Sequence, residues 1–86
     1  MSYRVVLADR AENELDALDR HVRGRVLTAI LRLAENPYQA TNVKSLSSGF
    51  YRLRVGDYRV IYEVKDDILA ILVIKVGHRR EVYRRR

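Results

Sequence analysis

The segment FYRLRVGDYRVIYEV, residues 50–64, leaves this chain little freedom. Apolar and charged residues alternate on both sides of Gly56-Asp57, the pattern of two strands joined by a two-residue turn. Glycine at the first central position fits a type II′ turn, whose twist matches the strands it joins. Such a turn fixes the register. Val55 should face Tyr58, Arg54 should face Arg59, Leu53 Val60, and Tyr51 Tyr62. One face then holds Tyr51, Leu53, Val55, Tyr58, Val60 and Tyr62 and is suited to burial. The other holds Arg52, Arg54 and Arg59. Like charges set opposite one another cost from a few tenths to about 1 kcal/mol, so Arg54 against Arg59 is no stability device. An anionic ligand would supply the missing charge. The plainer alternative is a solvated face with Glu63 as a nearby counter-ion.

The rest of the chain supplies a body for that hairpin. Tyr3–Leu7 is a short β-branched run and reads as a strand. Ala11, Leu15, Leu18 and Val22 fall at helical spacing, and so do Val22, Val26, Ile30 and Leu33. Asp9 with Glu12 resembles a capping box. Gly24 and the DRH segment predict a break near residues 19–23, giving a helical hairpin that ends before Pro37. Residues 37–49 read as a loop. The apolar run Ile68–Val76 predicts a third strand after a three-residue loop, Lys65-Asp66-Asp67. The expected fold class is α+β, in the order β-α-α-β-β-β, one domain over residues 1–86. Its mainly antiparallel sheet carries the helical hairpin on one face.

With that loop, Lys75 joins the arginine face. Arg79 has the same parity and reaches the same patch if the strand keeps its direction past Gly77. Tyr83 follows four residues later. A basic face with an aromatic nearby suits a phosphodiester backbone with a base stacked on the ring. Charge points the same way. Residues 1–43 balance six arginines against six acids, whereas residues 44–86 hold eleven Lys/Arg and five Asp/Glu, the whole of the net +6. Such asymmetry suggests an anionic partner, with solubility as the bland reading. There is no cysteine, hence no disulfide or thiolate chemistry. No apolar run is long enough to span a bilayer, and the N-terminus lacks a signal-peptide pattern. The expected location is cytoplasmic, away from membranes. A chain this short buries a modest core, so a partner could add much of its stability.

FYRLRVGDYRVIYEV, an apolar strand, and then KVGHRREVYR, with YRVVLADRAENEL at the start, together resemble the RelE branch of the RelE/ParE toxin superfamily over nearly the whole chain. The resemblance implies a type II toxin that enters the ribosomal A site and cuts mRNA without a cofactor. It implies that Arg52 and Arg54 match the family's basic strand residues. Arg59 matches its central arginine, Arg79 its late arginine and Tyr83 its terminal tyrosine. Some members carry lysine where this chain has Arg52 and Arg54. Arginine stays protonated, so electrostatic work survives that change and proton transfer does not. The chain stops at Arg86, leaving little room for the C-terminal helix of some members, and the Arg79–Tyr83 spacing is short.

Cleavage by the neighbouring 2′-OH needs a base, positive charge for the phosphorane-like transition state, and an acid for the 5′-oxygen. His21 and His78 are the only histidines, and no carboxylate pair stands at metal-ligand spacing with them, so no metal site is expected. Tyr83 is the family-based candidate for the base. A free tyrosine titrates near ~10, and surrounding arginines would lower that value. His78 is a second candidate because an ordinary histidine titrates near neutrality, although a polar strand-end residue is the plainer reading. His21 reads as exposed. Lys44, Lys75, Arg80 and the terminal Arg84, Arg85 and Arg86 are candidate RNA contacts. A solvated loop lysine and a tail with no specific role are the plain readings of Lys44 and of the last three.

Three alternatives stay open: a ParE-type gyrase poison, an RNA-binding module that does not cut, and an inert basic domain. The expected partners are the ribosome, mRNA and a cognate acidic antitoxin, unfolded alone. The antitoxin would set carboxylates near Arg52, Arg54 and Arg59 in a heterotetramer or larger complex.

Overall fold

The computed structural model describes residues 2–38 and 42–82. Its elements run β1 (Arg4–Leu7), α1 (Asp9–Asp16), α2 (Arg20–Arg32), β2 (Val43–Ser47), β3 (Phe50–Val55), β4 (Tyr58–Lys65), a 3-10 turn (Asp66–Ile68), β5 (Ala70–His78) and α3 (Arg79–Val82). The strands form one sheet in the order β1-β5-β4-β3-β2. All neighbours are antiparallel except β1, which runs parallel beside β5. Ala11 and Leu15 of α1 join Val26 and Ile30 of α2 and Leu33 just beyond its end. Together they pack on Leu53, Val60, Tyr62, Val64, Ile71, Val73 and Val76 of the sheet. The helical spacing in the sequence therefore marks the buried stripe. Among the described residues no helix is long and apolar enough to cross a membrane.

The β3–β4 hairpin has the register that its turn dictates: Val55 with Tyr58, Arg54 with Arg59, Leu53 with Val60, Tyr51 with Tyr62. Gly56 takes φ +58°, while Asp57 keeps an ordinary negative φ, as a type II′ turn requires. The helices meet earlier than expected, with α1 ending at Asp16 and Asp19 capping α2 by accepting the His21 amide at 3.1 Å. Asp9 caps nothing: Ala8 occupies the N-cap of α1 and no side chain bonds there. Arg23 closes the junction, its Nη1 donating to the carbonyls of Asp16 and Leu18 at 3.2 and 3.3 Å. A cation suits that helix C-terminus.

The expected order lacked one strand. Residues 43–47, read as loop, pair with β3 through Val43–Leu53, Lys44–Arg52 and Ser45–Tyr51. Lys44, Ser45, Leu46 and Ser47 are all exposed, so no buried alternation marked this edge strand in the sequence. Its pairing is made by the backbone, with a bulge between Ser45 and Ser47 before the turn at Gly49.

The third hairpin strand also differs. It starts at Ala70 rather than Ile68, after a 3-10 turn and Leu69 at φ +51°. Lys65 then pairs with Ala70, and Tyr62 with Val73. In that register odd-numbered residues of β5 face the core, and Ile71 and Val73 are fully buried. A bulge follows, because Ile61 pairs with Lys75 while Tyr62 pairs with Val73. The extra residue reverses parity, so Val76 enters the core and Lys75 faces out. Lys75 thus reaches the arginine face through the bulge and not through a three-residue loop.

Just past this bulge β5 has lost its β1 neighbour, whose last pair is Leu7 with Val73. The Val76 amide donates instead to Glu14 Oε1 of α1 at 2.8 Å, while Glu14 Oε2 accepts from Arg10 Nε at 3.0 Å. A helix carboxylate completes a strand edge where the sheet cannot. At the other end of β5, Tyr3 and Tyr38 both donate to Asp66, tying the chain before β1 and the segment after α2 to the 3-10 turn. Tyr62 is fully buried, stacks on Tyr51 at 5.7 Å and donates to the Pro37 carbonyl at 2.6 Å. Burial pushes its phenol well above the ordinary value.

Two outcomes follow from these bonds. Glu14→Ala should lower unfolding stability by about 1–3 kcal/mol, the cost of stranding a buried amide, and Glu14→Gln should recover most of that. Urea unfolding checks both. The hydroxyls of Tyr3 and then Tyr38 hold the Asp66 carboxyl below its ordinary value of 3.8. That contribution is present above the unfolded value and is lost as pH falls through the folded one. Asp66→Asn should therefore flatten the decline of melting temperature below about pH 4.

Candidate nucleic-acid interface

The sheet face away from the helices carries the expected cations in ordered rows. Cross-strand pairing sets Lys44, Arg52, Ile61 and Lys75 side by side, and Arg54, Arg59 and Gly77 in the next row. Three of these cations and two neighbours line a groove of about 280 Å³: Asn42, Val43, Lys44, Arg52 and Arg54. No carboxylate is among them. Asn42 fixes the groove wall, because the Arg54 amide donates to its carbonyl at 2.9 Å and its Nδ2 donates to the Arg54 carbonyl at 2.7 Å. Lys44 and Arg54 are exposed and Arg52 is half-buried. Such a surface offers point charges and planar guanidinium donors to phosphate oxygens.

The facing arginines do not share one environment. Arg54 stands in solvent, whereas Arg59 is only 9% exposed. Arg59 folds back on its own turn, with Nη1 donating to the carbonyls of Gly56 and Tyr58 at 3.0 and 3.1 Å. Its Nε is buried and has no hydrogen-bond partner among the described residues. Their charges thus diverge, which reduces the penalty that the register alone suggests. Glu63 is not the counter-ion of this face: it pairs with Lys65 at 3.4 Å.

The end of β5 separates the remaining candidates. Strand geometry persists to His78, then Arg79 opens the single turn of α3. The Arg79 amide donates to the Asp57 carbonyl at 2.7 Å, which anchors α3 to the β3–β4 turn. Arg79 is therefore held beside that turn and does not extend the strand; its side chain and that of Arg80 are exposed. His78 pairs with Tyr58 and meets its ring edge-on at 5.6 Å. Tyr58 packs against the core, so the register puts His78 on the helix side of the sheet, away from Arg54 and Arg59. His21 is exposed at the start of α2. Tyr83, Arg84, Arg85 and Arg86 lie outside the described residues.

The fold is a small α+β domain whose outer sheet face is lined by cations, and domains of this shape are found among type II toxins. The family model described as "ParE toxin of type II toxin-antitoxin system, parDE" matches residues 5–83. The mRNA interferase toxin RelE of Escherichia coli K12 is 30% identical over 87 aligned positions, covering 96% of this chain and 92% of that protein. Among solved structures, the RelE–RelB complex of Pyrococcus horikoshii OT3 superposes with a TM-score of 0.82 at 32% identity, covering 92% of this chain and 97% of that one. The intact RelBE toxin–antitoxin complex of E. coli gives 0.79 at 25% identity, covering 90% and 96%. The chain belongs to the RelE/ParE toxin superfamily, in its RelE branch.

The two facing arginines should respond in opposite directions. Arg54→Glu should raise stability by a few tenths of a kcal/mol, since it removes a like charge from an exposed site. Arg59→Ala should lower it by about 1–2 kcal/mol, since it strips two turn carbonyls of a charged donor. Thermal unfolding of the two variants side by side reads the difference.

Proposed function

We propose that this toxin arrests translation by cutting mRNA in the ribosomal A site, with the 2′-OH next to the scissile phosphate as nucleophile. The observation that carries the reading is the groove of Lys44, Arg52 and Arg54 beside Arg59, three lining cations with no lining carboxylate. The mRNA interferase name of the E. coli relative supports it. Lys44, Arg52 and Arg54 hold the backbone of the substrate. Arg59 sits behind them with a buried guanidinium, fixed in place, and acts through charge on the phosphorane-like transition state. Arg79, anchored at the same turn, adds charge near the leaving 5′-oxygen, which takes its proton from water as the P–O5′ bond breaks. Tyr83, the match to the family's terminal tyrosine, takes the 2′-OH proton, and arginine charge close to it would favour its phenolate. His78 stands as the alternative base, less well placed because its register partner is Tyr58. Lys75, Arg80, Arg84, Arg85 and Arg86 extend the backbone contacts. No step draws on a metal ion, so chelators should leave the rate unchanged.

A toxin active in its own cell must be held in check. RelE relatives are seen in complexes with RelB. We assign this chain an acidic antitoxin that orders on binding and covers the same cations, within a heterotetramer or larger assembly. Gyrase poisoning is the second reading, favoured by the ParE description of the matching family model.

Brief expression followed by sequencing of transcript 5′ ends separates the two. The mRNA reading expects new 5′-OH ends within translated frames, opposite 2′,3′-cyclic phosphates. Arg52→Ala and Arg54→Ala should weaken RNA binding and slow cleavage, while Tyr83→Phe should depress the saturated rate alone. Growth arrest with intact transcripts and gyrase-linked DNA breaks would overturn it.

A further inference from the structure

The helix hairpin carries charge that the half-chain balance of six arginines and six acids conceals. Asp9, Glu12, Glu14 and Asp16 sit on α1, whereas α2, RHVRGRVLTAILR, has four arginines and no acid. Arg23 is committed to the carbonyls that end α1. Arg20, Arg25 and Arg32 are exposed and make no ion pair or side-chain hydrogen bond among the described residues. They share a groove of about 620 Å³ with His21 and Thr28, walled by Val55 of β3 and free of any lining carboxylate. His21, Arg25, Thr28 and Arg32 follow at helical spacing along one flank of α2, and Arg25 to Arg32 spans about 10.5 Å of helix.

This groove is linked to the candidate site through shared lining residues. Arg32 also lines a smaller hollow with Asn42 and Leu53, and Asn42 lines the sheet groove of Lys44, Arg52 and Arg54. The guanidinium of Arg25 lies over the β3–β4 turn, where a methyl placed on Gly56 would stand 3.3 Å from its Nη2. The end of β3 is thus flanked by cations on both sides: Arg54 on the outer face, Arg25 and Arg32 on the helix face.

We propose that Arg20, Arg25 and Arg32 form a second track for the phosphodiester backbone of RNA, so that bound RNA wraps around the end of β3 from the cleavage face onto α2. The inference rests on the RNA-ligand part of the function proposed above. It adds a contact that positions RNA and lies away from the reacting bond. Phosphate contacts of this kind carry affinity and salt dependence without sequence information.

The test uses the purified full chain and a labelled RNA made uncleavable by 2′-deoxy substitution, in single-stranded and duplex form. Affinity is read by fluorescence anisotropy across a KCl series. Each lost phosphate contact to a single strand should reduce the log–log salt slope by about 0.7, so Arg25→Ala/Arg32→Ala should reduce it by about 1.4. Arg25→Lys/Arg32→Lys keeps both charges and should restore the slope, a recovery that a folding defect would not give. A larger effect on the single strand assigns the track to the substrate itself, and a larger effect on the duplex to a folded RNA. A slope unchanged by the alanine pair in both forms overturns the proposal. So does a loss confined to an acidic peptide, which would give the groove to a protein partner. Cleavage of mRNA on programmed ribosomes by the unmodified chain is scored in parallel. Its absence there, with the slope effect intact, would remove the nuclease reading and leave the track standing.

Discussion

The pairing of β4 with β5, bulged between Ile61 and Tyr62, sets both faces of the sheet, and the amide of Val76 just past the bulge meets the carboxylate of Glu14 at 2.8 Å. β5 is the strand that both neighbours share, and it must serve two faces. Its first half buries Ile71 and Val73 under the helices. After the bulge it must still bury Val76 while turning Lys75 outward. The bulge accomplishes this, but it falls where β1 has ended and an edge amide has no strand to pair with. Glu14 fills that place from α1, so the helix that seals the core also holds the strand just past the bulge. Lys75 and Gly77 take their positions from the bulge and the pairing with β4.

The outer face shows how a small protein tolerates concentrated charge. Arg59 is buried and bonded to turn carbonyls, Arg54 is left to solvent, and Gly77 beside Arg59 adds no side chain to the crowd. Part of the electrostatic cost is thereby removed within the fold. The rest is available to a polyanion or an acidic chain, and binding either one would stabilise the folded state by mass action. The proposed nucleic-acid and antitoxin ligands would each relieve the same repulsion.

Local signals were legible in the sequence and distant ones were not. Gly56-Asp57 and the alternation around it specify β3, β4 and their pairing, because turn type and burial both act within fifteen residues. Helical spacing specifies the buried stripes of α1 and α2. β2 left no trace, because Lys44, Ser45 and Leu46 are exposed and the strand exists only through β3. The β5 bulge was hidden in ILAILVIKV, a run apolar throughout, where a reversal of parity changes nothing visible. The capping expectation at Asp9 failed because Ala8 takes the cap and the turn is closed by backbone alone. The basic rows were legible once the register was known. The arginines of α2 were visible as residues but were cancelled in a tally of charge, which takes no account of which helix carries the acids.

The proposed function requires RNA to bind the cation rows of the sheet. Amide chemical shifts of the isotope-labelled chain, recorded while an uncleavable RNA is titrated in, measure this directly. Large shifts are expected at Lys44, Arg52, Arg54, Arg59 and Lys75, with small ones at Val5 and Leu7, which pack on the core from the far edge of the sheet. Shifts confined to the β1 edge and α1, with the rows of β2 to β5 unmoved, would contradict the proposed function.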